Sequence, residues 1–277
     1  MKYAYIKNRF VKLRNANISI KERGFRYGDG IFETIKIQNY LLCDYQYHLA
    51  RIKNGLQEIK ISFNHNIIFD LANKLIKKNN QKNGFLRLSI SRGIGSKGYY
   101  PLDCKATLII ETENRRKLPK GLINLTVSSY HKISPNMLPV NYKTMQGMNS
   151  ILALIEARKQ NYFDAVMLNI NGHITETSSS NIFLLKKGQL YTPPSQAGLL
   201  CGVIREKIIN NFTTIEKLIT LDDLKEFDSL FITNVAISAQ IINSISLENQ
   251  LIWQNNPSPA SNYKIIKIKM FLAHIMG

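Results

Sequence analysis

The sequence lacks most of the features that crosslink a chain or anchor it in a membrane. Its 277 residues include only three cysteines, and the wide spacing of Cys43, Cys104 and Cys201 predicts neither a disulfide framework nor a metal site. The apolar runs fall far short of the roughly 20 residues that span a bilayer. Lys7 and Arg9 interrupt the first ten residues, which therefore do not resemble a signal peptide. We expect a cytoplasmic protein that does not enter the membrane.

Acidic residues are also scarce. The chain has 19 Asp and Glu against 37 Lys and Arg, which gives a formal net charge of +18. Such an excess is compatible with nucleic-acid binding. However, the longest basic run is Arg115–Lys117, and no helix-turn-helix pattern or aromatic-flanked basic repeat accompanies it. We therefore expect no nucleic-acid partner, and the charge instead suits a small anionic ligand.

The composition and one polar segment predict two domains. With 44% apolar and 20% charged residues the chain is globular, and its length suits two small domains. The segment NRRKLPKG at 114–121 is basic and is broken by Pro119 and Gly121. We place the boundary there and predict an N-terminal domain over 1–117 and a larger C-terminal domain over 118–277.

Both halves alternate short β-forming runs with helical patterns, which predicts an α+β fold dominated by strands. We predict helices that begin at Asp44 and after Gly202, and helices over 67–78, 149–160 and 260–274. The predicted strands are YAYI, RFVKL, IFETIKI, YLLC, FLRLSIS, ATLIIE, INLTVSS, AVMLNI, HITE, NIFLL, QLYT and SLFIT. A hairpin turn is predicted at Asn171–Gly172.

Two residues stand out chemically. Lys143 lies just before a helix in a stretch of low charge, where a partly desolvated amine can attack a carbonyl. Glu176 lies among hydroxyl residues in ITETSSSNIFLL, and an acid at the end of a buried strand costs free energy unless a cation or hydrogen bond meets it. Each alone has a bland alternative, a surface lysine or a polar loop. Together, about thirty residues apart, they indicate a lysine that forms a Schiff base with pyridoxal phosphate and a carboxylate at its ring nitrogen.

Seven motifs in order resemble the class IV (fold type IV) pyridoxal-phosphate enzymes, which include branched-chain and D-amino-acid aminotransferases and 4-amino-4-deoxychorismate lyase. The motifs are RYGDGIFETI (26–35), HLARI (48–52), LRLSISRGIGSKGY (86–99), YKT (142–144), ITETSSSNIFLL (174–185), GVIR (202–205) and FITN (231–234). The resemblance covers nearly the whole chain. It implies a two-domain fold like that of D-amino-acid aminotransferase, with the cofactor at the domain interface, and a homodimer whose partner lends a loop.

The resemblance also assigns residues to pyridoxal 5'-phosphate. The expected cofactor-binding residues are Arg51, Lys143, Glu176, Ser180, Val203, Ile204 and Asn234. Lys143 is expected to form the Schiff base and Glu176 to meet the ring nitrogen. Arg51 is expected to contact the phosphate, although the solvated face of an amphipathic helix is the alternative. The backbone that opens the helix after Gly202 is expected to hold the phosphate at its positive end.

Three departures from the branched-chain pattern favour the lyase. Met148 stands where the aminotransferases often carry a tyrosine, Ile204 stands where a threonine is expected, and Asn234 and Val235 replace a second threonine. The resemblance thus implies conversion of 4-amino-4-deoxychorismate to 4-aminobenzoate and pyruvate, a step of folate biosynthesis. A D-amino-acid or branched-chain aminotransferase on the same cofactor site remains the alternative.

Three residues are expected to act on the substrate. The loop RGIGSKGYY offers Lys97 as a cation for a second carboxylate and Tyr99 as a hydroxyl donor, although a solvated hairpin loop is the alternative. Thr34 matches the lyase position that is expected to help deliver a proton to the leaving group. Its alternative is an ordinary strand threonine.

Overall fold

Contacts between residues divide the chain into two units. The computed structural model describes residues 2–95, 98–101, 104–115, 118–119 and 121–276. The first unit consists of residues 1–116 and 142–146, and the second of residues 117–141 and 147–277. Among the described residues, no helix is long and apolar enough to cross a membrane.

The first unit is built on one antiparallel sheet. Its strand order is β2-β1-β6-β5-β3-β4. The helices α2 and α3 cover one face, where their apolar residues pack against those of the strands. The elements of this unit are β1 (Tyr3–Ile6), β2 (Arg9–Lys12), α1 (Arg23–Tyr27), β3 (Gly30–Gln38), β4 (Leu41–Leu42), α2 (Tyr45–Glu58), α3 (Ile68–Lys78), β5 (Gly84–Ile94) and β6 (Lys105–Glu113).

The helix α3 illustrates how sequence pattern determines this packing. Ile68, Ala72, Leu75 and Ile76 recur at helical spacing and are all buried. Asp70 lies in the first turn and two lysines lie in the last, which suits the helix dipole. One apolar face with complementary end charges therefore explains both the extent of the helix and the side that it buries.

The second unit combines a larger mixed sheet with helices. Its strand order is β12-β11-β10-β13-β14-β7-β8-β9, with β15 paired to β14. A further pairing of β9 with β10 closes six of these strands into a ring. The elements are β7 (Ile123–Val127), α4 (Met148–Lys159), β8 (Asp164–Leu168), β9 (Ile174–Thr177), β10 (Asn181–Lys186), β11 (Gln189–Thr192), α5 (Val203–Asn211), β12 (Thr214–Glu216), β13 (Ser229–Asn234), β14 (Ser238–Leu247), β15 (Gln250–Gln254) and α6 (Pro259–Met276).

In the strands of the second unit, side chains that point to alternate faces of the sheet belong to two different apolar clusters. In β10, Ile182 and Leu184 belong to one cluster, whereas Phe183 belongs to the other together with residues of α5 and α6. Phe183 stacks on Phe231 of β13 with ring centroids 5.1 Å apart. Successive side chains of a strand point to opposite faces, so both faces of β10 are buried.

The predicted α+β class is confirmed, and the five predicted helices are found within one or two residues of their expected bounds. The short helix α1 and the strands β12, β14 and β15 were not predicted. Lys143 was assigned to the C-terminal domain, but the segment Tyr142–Gln146 that carries it groups with the first unit. The reason is that this segment leaves the second unit and pairs with β3.

The pairing with β3 fixes the backbone of Lys143. The carbonyl of Lys143 accepts a hydrogen bond of 2.9 Å from the N–H of Phe32, and the N–H of Met145 donates one of 2.9 Å to the carbonyl of Gly30. Among the residues that the structure describes, β4 pairs only with the far end of β3. The edge at the start of β3 is therefore open to the segment Tyr142–Gln146.

Two glycines permit this close approach. A Cβ atom at Gly30 would lie 2.6 Å from the carbonyl oxygen of Ile90 and 2.9 Å from Sδ of Met145. Gly28, which ends α1, has a φ of 64° in the left-handed region, and a Cβ there would lie 2.8 Å from Cγ of Gln146. The glycines of the GDG sequence thus make room for the segment that bears Lys143.

A buried acid joins β3 to α2. Glu33 accepts hydrogen bonds from Nε of Arg51 at 2.6 Å and from Nη2 of Arg51 at 2.8 Å, and it lies 2.9 Å from Nδ1 of His48. Burial raises the pKa of Glu33, but the positive charges of Arg51 and His48 and their hydrogen bonds outweigh burial. The pKa of Glu33 therefore lies well below its ordinary value of 4.5.

We expect Gly30→Ala to lower the free energy of unfolding by about 2–3 kcal/mol, because the added methyl group meets backbone on one side and Met145 on the other. Denaturant titration measures the change. Gly147→Ala is the control, since a Cβ there meets nothing within 4 Å and only a helix-cap preference of less than about 1 kcal/mol is lost. Equal losses in the two variants would contradict the close approach.

We expect Glu33→Gln to lower the free energy of unfolding by about 3 kcal/mol near neutral pH, because it breaks a buried ion pair. Because the pKa of Glu33 is lower in the folded protein than its unfolded value of 4.5, ionised Glu33 stabilises the folded state at pH values above 4.5. This stabilisation is lost progressively as the pH falls below 4.5. The difference between the native protein and the variant should therefore shrink toward pH ~3. The exposed acid Glu58 of α2, the helix that carries the partners of Glu33, is the control, and Glu58→Gln should shift stability by less than about 0.5 kcal/mol. A pH-independent difference would contradict the assignment.

Candidate active site

In the first unit, two cations flank one aromatic ring. Nζ of Lys143 lies 4.6 Å from the ring centroid of Phe32, and Cζ of Arg87 lies 4.4 Å from the same centroid. Lys143 is half-buried. Arg87 lies in β5 directly opposite Glu111 of β6, and its guanidinium brings a permanent positive charge to the ring that the predicted nucleophile also contacts. This arrangement attracts an anionic group to the neighbourhood of Lys143.

Thr34 shares this surface. It lies two residues from Phe32 in β3, so both side chains are on the face opposite the buried residues Ile31 and Ile35. Across the sheet Thr34 is directly opposite Arg87. The structure therefore brings the predicted residue Thr34 together with Lys143 through Phe32 and Arg87, on one face of the sheet.

Arg51 is held by the protein itself. Its guanidinium binds Glu33 through two nitrogens, and its side chain is 11% exposed. The amphipathic helix therefore does not turn Arg51 to the solvent, because the arginine lies on the side of α2 that faces β3. Its contact with a phosphate stays a prediction, and Glu33 determines where the guanidinium lies.

The predicted substrate loop is described only in part. Lys97 lies outside the described residues. Tyr99 is 89% exposed, and its ring centroid lies 5.9 Å from that of Tyr27. Both tyrosines line an open cavity of about 510 Å³. The other lining residues are Arg23, Asp29, Arg92, Pro101 and Gln146.

This cavity carries an excess of positive charge. Nε of Arg23 lies 2.8 Å from the carboxylate of Asp29, and Nε of Arg92 lies 2.9 Å from it. Two guanidinium groups thus share one carboxylate. Burial raises the pKa of Asp29, but the hydrogen bonds and charges of the two arginines outweigh burial and lower it.

In the second unit, the central acid has two partners. Glu176 is the third residue of β9 and is buried, and its Oε1 lies 2.7 Å from Nζ of Lys132. Its Oε2 accepts a hydrogen bond of 3.0 Å from Nδ2 of Asn181, the first residue of β10. The cation and hydrogen bond that a buried acid requires are therefore supplied by the protein.

Ser180 and Asn234 lie on different segments and are joined by a hydrogen bond. Nδ2 of Asn234 donates to Oγ of Ser180 at 2.8 Å and to the carbonyl of Ser179 at 3.2 Å. Oδ1 of Asn234 accepts from the N–H groups of Ala236 and Ile237. The amide of Asn234 is thus occupied within the protein, and it can act on a cofactor only by holding Ser180.

The start of α5 offers hydrogen-bond donors. The first intrahelical bond runs from the N–H of Glu206 to the carbonyl of Gly202. The N–H groups of Val203 and Ile204 precede it and have no partner within the helix, whereas their side chains are buried. A helix start of this kind attracts an anion.

Two buried hydroxyls complete the second unit's contribution. Oγ of Ser178 and Oγ1 of Thr233 have no hydrogen-bond partner among the described residues. Thr233 is directly opposite Asn181 in the ladder between β13 and β10, so they share a face of the sheet. Unpaired hydroxyls and helix N–H groups suit the oxygens of a phosphate, and Glu176 suits a protonated ring nitrogen. The donor set therefore fits pyridoxal phosphate.

Sequence reasoning missed four of these residues. Lys132, Asn181 and Thr233 lie next to predicted site residues in space, and Arg87 lies beside Lys143. Asn181 and Thr233 fall inside the motifs ITETSSSNIFLL and FITN, so their positions were available. Lys132 belongs to no motif and had no signal, because its partner is reached only through the fold.

Comparison with known proteins assigns the family. The family model described as "Amino-transferase class IV" matches residues 30–245. A Methanocaldococcus jannaschii protein, provisionally assigned as a branched-chain-amino-acid aminotransferase, is 28% identical over 274 residues, which are 96% of this chain and 94% of the relative. The D-alanine aminotransferase of Bacillus licheniformis is 26% identical over 264 residues, which are 91% of this chain and 90% of that one.

A solved structure adds a third kind of relative. A Legionella pneumophila protein, provisionally named a 4-amino-4-deoxychorismate lyase, has a TM-score of 0.82 and 25% sequence identity, and the match covers 95% of this chain and 97% of that one. The similarity thus extends over both units, and the resemblance seen in the motifs is confirmed. The chain belongs to the class IV aminotransferase family, whose enzymes depend on pyridoxal phosphate.

Proposed function

We propose that this protein is a lyase that converts 4-amino-4-deoxychorismate to 4-aminobenzoate and pyruvate. The observation that carries the proposal is the position of Arg87 and Lys143 on the same ring of Phe32. The substrate has two carboxylates, whereas alanine and the branched-chain amino acids have one. A fixed cation beside the reactive amine supports a substrate with the additional anionic group.

Lys143 and Glu176 divide the main roles. Pyridoxal phosphate, when bound, supplies a carbonyl that takes the substrate amine and a ring that takes up electrons. With the cofactor bound, Lys143 would be the amine that holds this carbonyl, and it would accept the proton from the amine-bearing carbon of the substrate. Glu176 would accept a hydrogen bond from the protonated ring nitrogen, and Lys132 and Asn181 orient its carboxylate.

Thr34 acts at the leaving group. The bond between the ring carbon and the enolpyruvyl oxygen breaks, and the oxygen leaves with the electron pair. A proton delivered at this oxygen through the Thr34 hydroxyl gives enolpyruvate, which tautomerises to pyruvate. Loss of the carbon-bound proton to Lys143 leaves an aromatic ring, and the gain in aromaticity drives the reaction.

The remaining cofactor residues hold the phosphate. The N–H groups of Val203 and Ile204 are hydrogen-bond donors at a helix start, and Ser180 adds a hydroxyl that Asn234 orients. Arg51 supplies a guanidinium whose direction is fixed by Glu33.

The substrate loop is part of the same proposal. Lys97 binds the second carboxylate of the substrate together with Arg87, and Tyr99 donates a hydrogen bond from its hydroxyl. The exposed side chain of Tyr99 is consistent with a homodimer in which each protomer lends this loop to its partner. The positive charge around Asp29 supports an anionic ligand near the loop.

An aminotransferase is the second candidate. The relatives from Methanocaldococcus jannaschii and Bacillus licheniformis support a branched-chain or D-amino-acid substrate. Met148 and Ile204 weigh against it, because they replace hydroxyl residues that the branched-chain enzymes use. Met148, the first residue of α4, has no hydrogen-bond donor to offer.

The deciding experiment supplies 4-amino-4-deoxychorismate without any keto acid. We expect stoichiometric release of 4-aminobenzoate and pyruvate. Arg87→Gln should raise the KM about tenfold or more, because a desolvated charge pair is lost. Arg115→Gln, which removes an exposed arginine of the same unit, should leave the KM within about twofold. Turnover only when a keto acid and an amino acid are both present would reject the lyase in favour of the aminotransferase.

We expect the purified protein to be yellow and Lys143 to carry the cofactor. Borohydride reduction followed by peptide mass mapping should label the peptide that contains Lys143. The label should disappear in Lys143→Ala and persist in Lys159→Ala, a change at an exposed lysine of α4. Labelling of a different lysine in cofactor-saturated native protein would refute the assignment.

A further inference from the structure

We propose that Asn181 is a positioning residue that ties the acid Glu176 to the segment that leads into α5. The inference rests on the proposed function, because Glu176 and the start of α5 are taken to hold opposite ends of the same cofactor. Asn181 would then fix the spacing between the acceptor for the ring nitrogen and the donors for the phosphate.

A single amide group makes both connections. Nδ2 of Asn181 donates a hydrogen bond of 3.0 Å to Oε2 of Glu176 and one of 2.8 Å to the carbonyl oxygen of Leu200. An amide nitrogen has two N–H groups, so both are used. Asn181 is 4% exposed, and water cannot readily replace either bond.

The oxygen of the same amide touches the residue that caps α5. A Cβ atom at Gly202 would overlap Oδ1 of Asn181. The φ of Gly202 is −72°, which any residue adopts, so the backbone conformation does not require glycine there. Glycine is required at position 202 because any larger residue would overlap the side chain of Asn181. The start of α5 is thus packed directly against the amide that holds Glu176.

The strand pairing makes this connection stiff. Asn181 is the only residue of β10 that pairs with β9, and its partner there is Glu176 itself, among the described residues. On its other side Asn181 pairs with Thr233 of β13. The backbone of Asn181 is therefore held from both sides, and its side chain transmits a fixed position to Glu176 and to Leu200.

The contacts leave Glu176 able to bind a ligand. Each oxygen of the carboxylate has one of these partners, Lys132 on Oε1 and Asn181 on Oε2. An ionised carboxylate can accept about four hydrogen bonds. The distance from ring nitrogen to phosphate changes little in an aromatic cofactor, so a rigid acceptor and rigid donors bind it best when their spacing is set in advance.

The test compares two ligands, pyridoxal phosphate and pyridoxal, which lacks the phosphate. Their dissociation constants are measured by absorbance titration of the protein. The covalent bond to Lys143 is common to both ligands and cancels from the ratio of the two constants. We expect Asn181→Ala to weaken pyridoxal phosphate about tenfold or more and pyridoxal clearly less. The advantage conferred by the phosphate should therefore shrink.

Gly202→Ala tests the same connection from the other side. The added methyl group should displace the amide of Asn181 and reduce the phosphate advantage by a similar factor. In Asn181→Ala/Gly202→Ala the methyl group has room, so we expect no further loss beyond that of Asn181→Ala alone. Additive losses in the double variant would overturn the proposal.

Asn169→Ala is the matched control. Asn169 is also a buried amide of the second unit, and its Nδ2 donates to the carbonyl of Ala197 at 3.2 Å. No hydrogen bond joins Asn169 to Glu176 among the described residues. This variant should lose stability but keep the native ratio of the two constants. An equal change of ratio in Asn169→Ala would mean that Asn181 has only a general structural role.

The remaining outcomes separate the inference from the proposed function. If native protein binds no pyridoxal phosphate, the proposed function fails. If it binds the cofactor and Asn181→Ala keeps the native ratio, only the inference fails. Should Asn181→Ala not fold by circular dichroism, Gly202→Ala and the isosteric Asn181→Asp decide the question. The aspartate puts a second carboxylate against Glu176, so a native ratio in both variants would also reject the proposal.

Discussion

The second unit depends on a buried carboxylate whose two oxygens are both satisfied. A charge removed from water costs several kcal/mol unless it is paired and hydrogen-bonded. Glu176 meets this requirement with a lysine on one oxygen and an amide on the other. Lys132 precedes the segment that carries Lys143, and Asn181 begins a central strand. Satisfying one acid therefore fixes the position of two separate parts of the chain.

The first unit uses the same device with different groups. Glu33 lies in the core face of β3 and is neutralised by a guanidinium and an imidazole from α2. Between Phe32 and Thr34, this acid anchors the strand on one face while the reactive groups occupy the other. In the first unit the buried acid is adjacent in sequence to Thr34, and in the second the buried acid is Glu176 itself; we assign both Thr34 and Glu176 to the chemistry. Stability and positioning are therefore coupled, and a change in either acid disturbs both.

The features that depend on local sequence could be predicted. The helical period of α3 and the two-residue alternation of β3 are visible in the sequence, and the motifs located Lys143 and Glu176. The strand β14 was missed because a bulge between Ile242 and Ser244 breaks its two-residue period, and α1 was missed because five residues are too few to show a helical period. The pairing of Lys132 with Glu176 and the transfer of Lys143 to the first unit depend on contacts between distant segments. No single stretch of sequence contains that information.

The ring of six strands has a consequence for the order in which the second unit assembles. Its closure at Glu176 and Asn181 joins residues that are near neighbours in the chain, so little loop entropy is lost. The pairing of β7 with β14 instead brings Thr126 to Ser246, 120 positions away. Contacts with such sequence separation form slowly. The acid and its amide can therefore meet within a local hairpin, before the long-range pairing that encloses them is complete.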